Sequence, residues 1–181
     1  MVSDARTGGA TRTGARILVV VLGGSGYVSG EALRLLAGHP VFEVAAVVST
    51  SRVGTPVTDA FPHLRGVFGR ELVFLDDAAL SDRWPRGGRA AVLAATPHGA
   101  TAALLDRVLR AAEGAGTEVR AVDLSADFRF ADVTRYEAIY GVTHGAPARI
   151  PQFTCAVPEH FRGPPALHAT QPGCYTTAVA L

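Results

Sequence analysis

The sequence predicts an α/β fold, a doubly wound Rossmann-type parallel sheet, followed by the start of a second, α+β domain that is largely absent from the chain. Three observations carry that expectation. Apolar β-branched runs alternate with segments of helical spacing, a glycine turn joins the first such run to the first helix, and no internal repeat is present. At 181 residues, 48% apolar and 18% charged, the chain can bury a real core and is too apolar to be disordered throughout.

Residues 1–15, MVSDARTGGATRTGA, contain Asp4 and no apolar run, so they read as a disordered tail. From Arg16, RILVVVL predicts a buried strand and GGSGYVSG a turn. Leu33, Leu35 and Leu36 mark a helix that Gly38 and Pro40 end. FEVAAVVS (42–49) is a second strand, which completes a right-handed βαβ unit. Thr50 to Arg70 holds Gly54, Pro56, Pro62, Gly66 and Gly69, too many breakers for a regular element, and reads as a long functional loop.

ELVFL (71–75) is a candidate short strand, and RAAVLAA (89–95) a buried one that ends at Thr96-Pro97-His98-Gly99. Apolar residues at 104, 105, 108, 109 and 112 predict a helix over 100–114, and EVRAVDLS follows as a strand. A short helix over 133–140, a Gly/Pro-rich loop to Pro151, strands in FTCAV and ALHAT, and a helix opening after Gly173 complete the pattern. The expected division is a tail (1–15), the doubly wound domain (16–150) and the start of a second domain (151–181).

Charge narrows the function. Seventeen basic and 16 acidic residues leave +1, without a block of like charge, so neither nucleic acid nor an anionic membrane is an expected partner. A small molecule is. Every basic residue is arginine, which excludes Schiff-base chemistry and a lysine-dependent phosphate loop. Two cysteines and the absence of a long apolar run point to a reducing cytoplasm, without a disulfide scaffold or a membrane span. Histidines at 39, 63, 98, 144, 160 and 168 form no pair at metal-ligand spacing, so no metal is expected.

Two motifs carry chemistry. The turn Gly23-Gly24-Ser25-Gly26-Tyr27-Val28 lies between strand and helix, where a dinucleotide pyrophosphate meets backbone N–H groups and the positive helix end. The second strand does not end in the acidic residue that would bind the ribose of NAD. It runs into Ser49-Thr50-Ser51-Arg52, whose hydroxyls and guanidinium suit the 2′-phosphate of NADP. Thr96, Pro97 and His98 leave a sheet strand at the ligand-binding end.

The second motif is Pro172-Gly173-Cys174. A helix N-terminus favours a thiolate and offers N–H groups to an oxyanion, so Cys174 reads as a nucleophile that takes up an activated acyl group before hydride delivery. Cys155, in an apolar strand, reads as an ordinary buried thiol. Arg129, in VDLSADFR, can hold an anionic substrate or form a structural salt bridge with Asp123 or Asp127.

GGSGYVSGEALRLLAGHP, PVTDAFPHLRG, TPHG, VDLSADFR, YEAIYG, VPE and QPGCYTTA, in unbroken order from about Arg16 to Leu181, together resemble the N-acetyl-gamma-glutamyl-phosphate reductase family of arginine biosynthesis. The resemblance implies that Gly23 to Gly30 bind NADP, that Ser49 to Arg52 hold its 2′-phosphate and that Cys174 accepts the acyl group; Arg129, Pro172 and Gly173 are the residues expected to bind the substrate. It also implies a homo-oligomer when full length, and a histidine base from a later region that this chain lacks. Ser29 stands where the family has its third glycine and is expected to crowd the helix. The alternatives are a truncated NADP-binding module without turnover, the related reductase of a carrier-bound aminoadipyl phosphate in lysine biosynthesis, and, more distantly, aspartate semialdehyde dehydrogenase.

Overall fold

The structure, a computed structural model, describes residues 16–163 and 166–181; the tail expected over 1–15 lies outside the described residues. Among the described residues seven strands form one sheet: β1 (Ile17–Leu22), β2 (Phe42–Val48), β3 (Phe74–Leu75), β4 (Arg89–Ala94), β5 (Glu118–Asp123), β6 (Phe153–Cys155) and β7 (His168–Thr170). Their order is β3-β2-β1-β4-β5-β7-β6 and every pair is parallel. The helices are α1 (Tyr27–Leu36), α2 (Val57–Ala60), α3 (Thr101–Gly114), α4 (Val133–Tyr140) and α5 (Cys174–Ala180). Among the described residues, no helix is long and apolar enough to cross a membrane.

β1 is central and buried on both faces, which is why its sequence is a continuous β-branched run rather than an alternation. Its residues part to two cores. Val19 and Val21 join Leu33 and Leu36 of α1, whereas Val20 and Leu22 join Leu105, Val108 and Leu109 of α3. One helix therefore covers each face of the sheet, and the winding reverses between β1 and β4. That switch point parts the loops above the strands' C-terminal ends and leaves a crevice there.

The stretch Thr50 to Arg70 departs from the loop expected of it. α2 and a 3-10 turn over Pro62–Leu64 form within it, and Val57, Phe61 and Leu64 are buried in the α1-side core. Their i, i+4, i+7 spacing makes an apolar face that survives the breakers around it.

The two strands expected to open a second domain extend this sheet. β7 lies against β5, with Val122 beside Ala169 and Asp123 beside Thr170, and β6 is outermost. A further tie crosses the domain. Arg149, on the 3-10 turn Pro147–Gln152 and only 8% exposed, reaches Asp106 at 2.8 Å and Glu113 at 2.5 Å on α3.

Candidate active site

A cleft of about 790 Å³ opens at the C-terminal ends of β1, β2, β4 and β5, directly over the switch point. Gly23, Ser25, Gly26 and Val28 line it from the glycine turn, Ser49 and Ser51 from the end of β2, and Thr96, Pro97 and His98 from the end of β4. The structure thus brings nine of the expected cofactor residues to one surface. Gly24, Tyr27 and Arg52 are not among the lining residues. Gly24 lies beneath the turn against Val47, Tyr27 is 98% exposed at the start of α1, and Arg52 is exposed one residue beyond Ser51.

The turn is built by different glycines for different reasons. Gly23 has φ +75°, and a Cβ there would fall 2.6 Å from the Ala95 carbonyl oxygen, so only glycine fits. Gly30 meets Phe61, whose Cε1 would stand 2.6 Å from an added Cβ. The close helix packing expected of the third glycine therefore falls at Gly30. Ser29, expected to crowd the helix, is instead buried and donates its hydroxyl to the Gly23 carbonyl at 2.8 Å.

Gly26 precedes α1 without a side-chain cap, and no acidic residue occupies the first turn. The first N–H groups of α1 are thus open to an anion at the positive end of the helix. The end of β2 adds a chain of hydroxyls: Ser49 donates to Ser25 at 3.1 Å and lies 3.3 Å from Ser51. Among the described residues no Asp or Glu lines the cleft.

The start of α3 faces the same region but is already filled. The Asp127 carboxylate, fully buried, accepts from the backbone N–H groups of Gly99 at 2.7 Å and Ala102 at 2.9 Å and from the Tyr136 hydroxyl at 3.0 Å. Burial, reinforced by the Asp127 charge, pushes the Tyr136 hydroxyl up to about 12, so it stays a donor. Of these two helix starts, then, α1 alone is open to phosphate. Burial likewise raises the Asp123 carboxyl, which accepts from the N–H groups of Ser125 at 2.7 Å and Phe128 at 3.2 Å and shapes the loop that carries Arg129.

Cys174 is exposed and is the first residue of α5, entered through Gly173 at φ +114°. Gln171 braces this turn: its Oε1 accepts from the Gly173 N–H at 2.9 Å and its Nε2 donates to Thr177 Oγ1 at 2.6 Å. Arg129 lies alongside, with Nη2 only 3.3 Å from where a Gly173 Cβ would stand. Its guanidinium donates to the Gln171 carbonyl at 3.3 Å, the Ser125 carbonyl at 3.1 Å and the Tyr140 hydroxyl at 3.1 Å. All three acceptors are neutral. The salt bridge weighed for Arg129 does not form among the described residues, and its guanidinium lies beside Gly173 with no carboxylate paired to it there.

Cys155, expected to be buried, is exposed, because it ends the three-residue outermost strand. Desolvation by its neighbours still raises its thiol, against the opposing charge of Arg129. Of the histidines, His98 lines the cleft, and its Nδ1 accepts from the Ala126 N–H at 3.0 Å. His144 and His168 are buried. Among the described residues, no group of three or more His, Cys, Asp or Glu is placed to hold a metal.

Sequence reasoning missed Arg107, the charged residue of the cleft wall, whose guanidinium pairs with Asp77 at 2.9 Å. The signal was its position one turn beyond Leu104 on α3, which an apolar-spacing argument passes over. Tyr140 was also missed as a partner of Arg129. Only the packing of α4 over the Ser125 to Arg129 loop brings the two together.

A parallel α/β sheet with an open helix start at its switch point defines a nucleotide-binding domain. Residues 18–153 match the family model "Semialdehyde dehydrogenase, NAD binding domain", and the chain belongs to that family. Among curated relatives it is 41% identical over 168 residues to the N-acetyl-gamma-glutamyl-phosphate reductase of Neisseria meningitidis serogroup C, covering 92% of this chain and 45% of that protein. The protein of the same name from Azotobacter vinelandii is 41% identical over 165 residues, covering 90% of this chain and 45% of the relative. N-acetyl-gamma-glutamyl-phosphate reductase 1 of Pseudomonas putida is 42% identical over 168 residues, with 91% and 45% covered. The chain thus spans about half the length of these relatives, and they bear the same name as the family its motifs resemble. A crystal structure of aspartate semialdehyde dehydrogenase with NADP from Candida albicans overlaps 72% of this chain and 41% of that one, at 16% identity and TM-score 0.44.

Proposed function

We propose that this chain is the cofactor-binding and nucleophile-bearing part of an NADPH-dependent N-acetyl-gamma-glutamyl-phosphate reductase of arginine biosynthesis. The supporting observation is an exposed Cys174 beside the Arg129 guanidinium, at the same C-terminal end of the sheet as a cleft that no Asp or Glu of the described residues lines, over the open start of α1. The residues fit a dinucleotide. The open N–H groups after Gly26 take its pyrophosphate, and Ser49, Ser51 and the exposed Arg52 take the 2′-phosphate of NADP. Thr96, Pro97 and His98 form the wall leading toward the substrate.

Arg129 holds the anionic substrate against Pro172 and Gly173 with its acyl carbon toward the Cys174 thiolate. Sulfur attacks that carbon, the bond from carbon to the phosphate oxygen breaks, and inorganic phosphate leaves with the electron pair, so a thioester remains. NADPH, when bound, would supply the hydride to the thioester carbon, and breaking of the carbon–sulfur bond would then release N-acetylglutamate 5-semialdehyde and return Cys174 as its thiolate. We read the whole enzyme as a cytoplasmic homo-oligomer acting on a small molecule. Phosphate-dependent reduction of NADP⁺ by the semialdehyde tests the reading in a protein of the relatives' length. Activity that is lost in Cys174→Ser while NADPH still binds supports it, and activity that persists in Cys174→Ser overturns it.

A further inference from the structure

α4 places two tyrosines one turn apart on the face that lies over the Ser125 to Arg129 loop. Tyr136 reaches Asp127 at 3.0 Å and Tyr140 reaches Arg129 at 3.1 Å, with the two rings 5.0 Å apart. The hydroxyls differ in what is left over. Tyr136 is buried and spends its proton on the Asp127 carboxylate, whereas Tyr140 is only half-buried and accepts from the guanidinium. A hydroxyl that accepts keeps its own O–H to donate. Among the described residues that proton has no acceptor. The Tyr140 ring also lies 5.7 Å from the ring of His98, on the cleft wall.

We propose that Tyr140 is a substrate-binding residue: together with Arg129 it forms a two-donor oxyanion site beside Cys174, its O–H taking one oxygen of the anionic group whose other oxygen Arg129 takes. The assignment rests on the proposed role of Cys174. It adds that recognition needs a planar cationic fork and a phenol together, a donor pair suited to a carboxylate or a phosphoryl group. Tyr140 also holds the guanidinium in place, so a Tyr140 variant loses one donor and loosens the other.

Cys174 itself reports on the site, without cofactor or turnover. Its alkylation by iodoacetate, an anion, is compared with alkylation by neutral iodoacetamide, with peptide mapping to separate it from Cys155. The expected iodoacetate-to-iodoacetamide rate ratio falls roughly three- to tenfold in Tyr140→Phe and about tenfold or more in Arg129→Gln, the scale of charge-assisted hydrogen bonds. Iodoacetamide alone should react at the parent rate in Tyr140→Phe, which keeps the ring against Tyr136 and His98. Protection of Cys174 from iodoacetate by inorganic phosphate would assign the pair to a phosphoryl group, and protection by N-acetylglutamate to a carboxylate. An unchanged ratio in Tyr140→Phe, an equal loss with both reagents, or protection by neither anion overturns the assignment. None of these readings depends on reductase activity, so failure of the proposed reaction leaves this test intact.

Discussion

Ser29 donates its hydroxyl to the Gly23 carbonyl across 2.8 Å, so the glycine turn is tied from inside the fold rather than by anything in the cleft. The glycines then divide by task. A Cβ at Gly23 collides with the Ala95 backbone, while one at Gly26 meets nothing nearer than the Gly23 carbonyl oxygen at 3.6 Å. Gly26→Val should therefore fold within about 1 kcal/mol of the parent and yet lose nucleotide binding, because its side chain occupies the pyrophosphate's approach. Gly23→Ala should cost about 1–3 kcal/mol of stability through its positive φ and collision. Denaturant midpoints and an NADPH fluorescence titration separate the two, and ordinary NADPH affinity in folded Gly26→Val would show the turn to be structural only.

Cofactor choice rests on the end of β2. Arg52→Ala should weaken NADPH by about 1.5 kcal/mol, roughly tenfold, and leave NADH almost unchanged, because only the 2′-phosphate meets the guanidinium. Parallel titrations of the two cofactors check this, and equal losses for both would contradict it.

The parallel sheet was readable because β1, residues 44–48 of β2 and residues 90–94 of β4 are apolar runs with no polar residue alternating through them. The turn before α1 and the cysteine at the start of α5 were equally legible, since local residue types make each. Less legible was whatever depends on chains meeting from a distance. Nothing in FTCAV or ALHAT says that β7 lies beside β5, and so the boundary expected at 151 falls just before residues that continue the same sheet. The exposure of Cys155 follows from that edge position, not from its apolar neighbours. The Asp127 cap on α3 and the Tyr140 to Arg129 contact join segments 25 and 11 residues apart, and no local spacing encodes either.

His168 makes stability depend on pH. Its Nδ1 accepts from the Ala121 N–H at 3.2 Å while its buried Nε2 has no partner among the described residues, so the neutral ring fits and the charged one does not. Burial, with Arg149 and Arg120 adding to it, lowers the imidazole from 6.5 to about 4. The unfolded chain therefore takes up the proton first as pH falls. The His168 contribution is complete above about pH 6.5, is lost between there and about pH 4, and amounts to about 3 kcal/mol in all. In urea melts across that window, His168→Asn, which keeps an acceptor for Ala121, should show a flatter profile than the parent. An identical slope would exclude His168 as its source.

Arg149 should be the most costly surface-to-core tie to break. Arg149→Met leaves Asp106 and Glu113 without their buried partner, for a loss of about 2–4 kcal/mol, nearer the lower figure because Glu113 is 55% exposed. Chemical denaturation measures it, and a loss below about 0.5 kcal/mol, the scale of an exposed pair, would show that the contact stabilises nothing beyond a surface ion pair.

The covalent step is tested most directly by mass. A protein of the relatives' length that includes this chain is mixed with freshly made N-acetyl-gamma-glutamyl phosphate in the absence of nucleotide, quenched in acid and mapped by peptide mass spectrometry. The mechanism predicts an N-acetylglutamyl thioester on Cys174 alone, formed with release of one phosphate, absent from Cys174→Ser and discharged when NADPH is added. An unmodified Cys174, or acylation of Cys155 in its place, would contradict it.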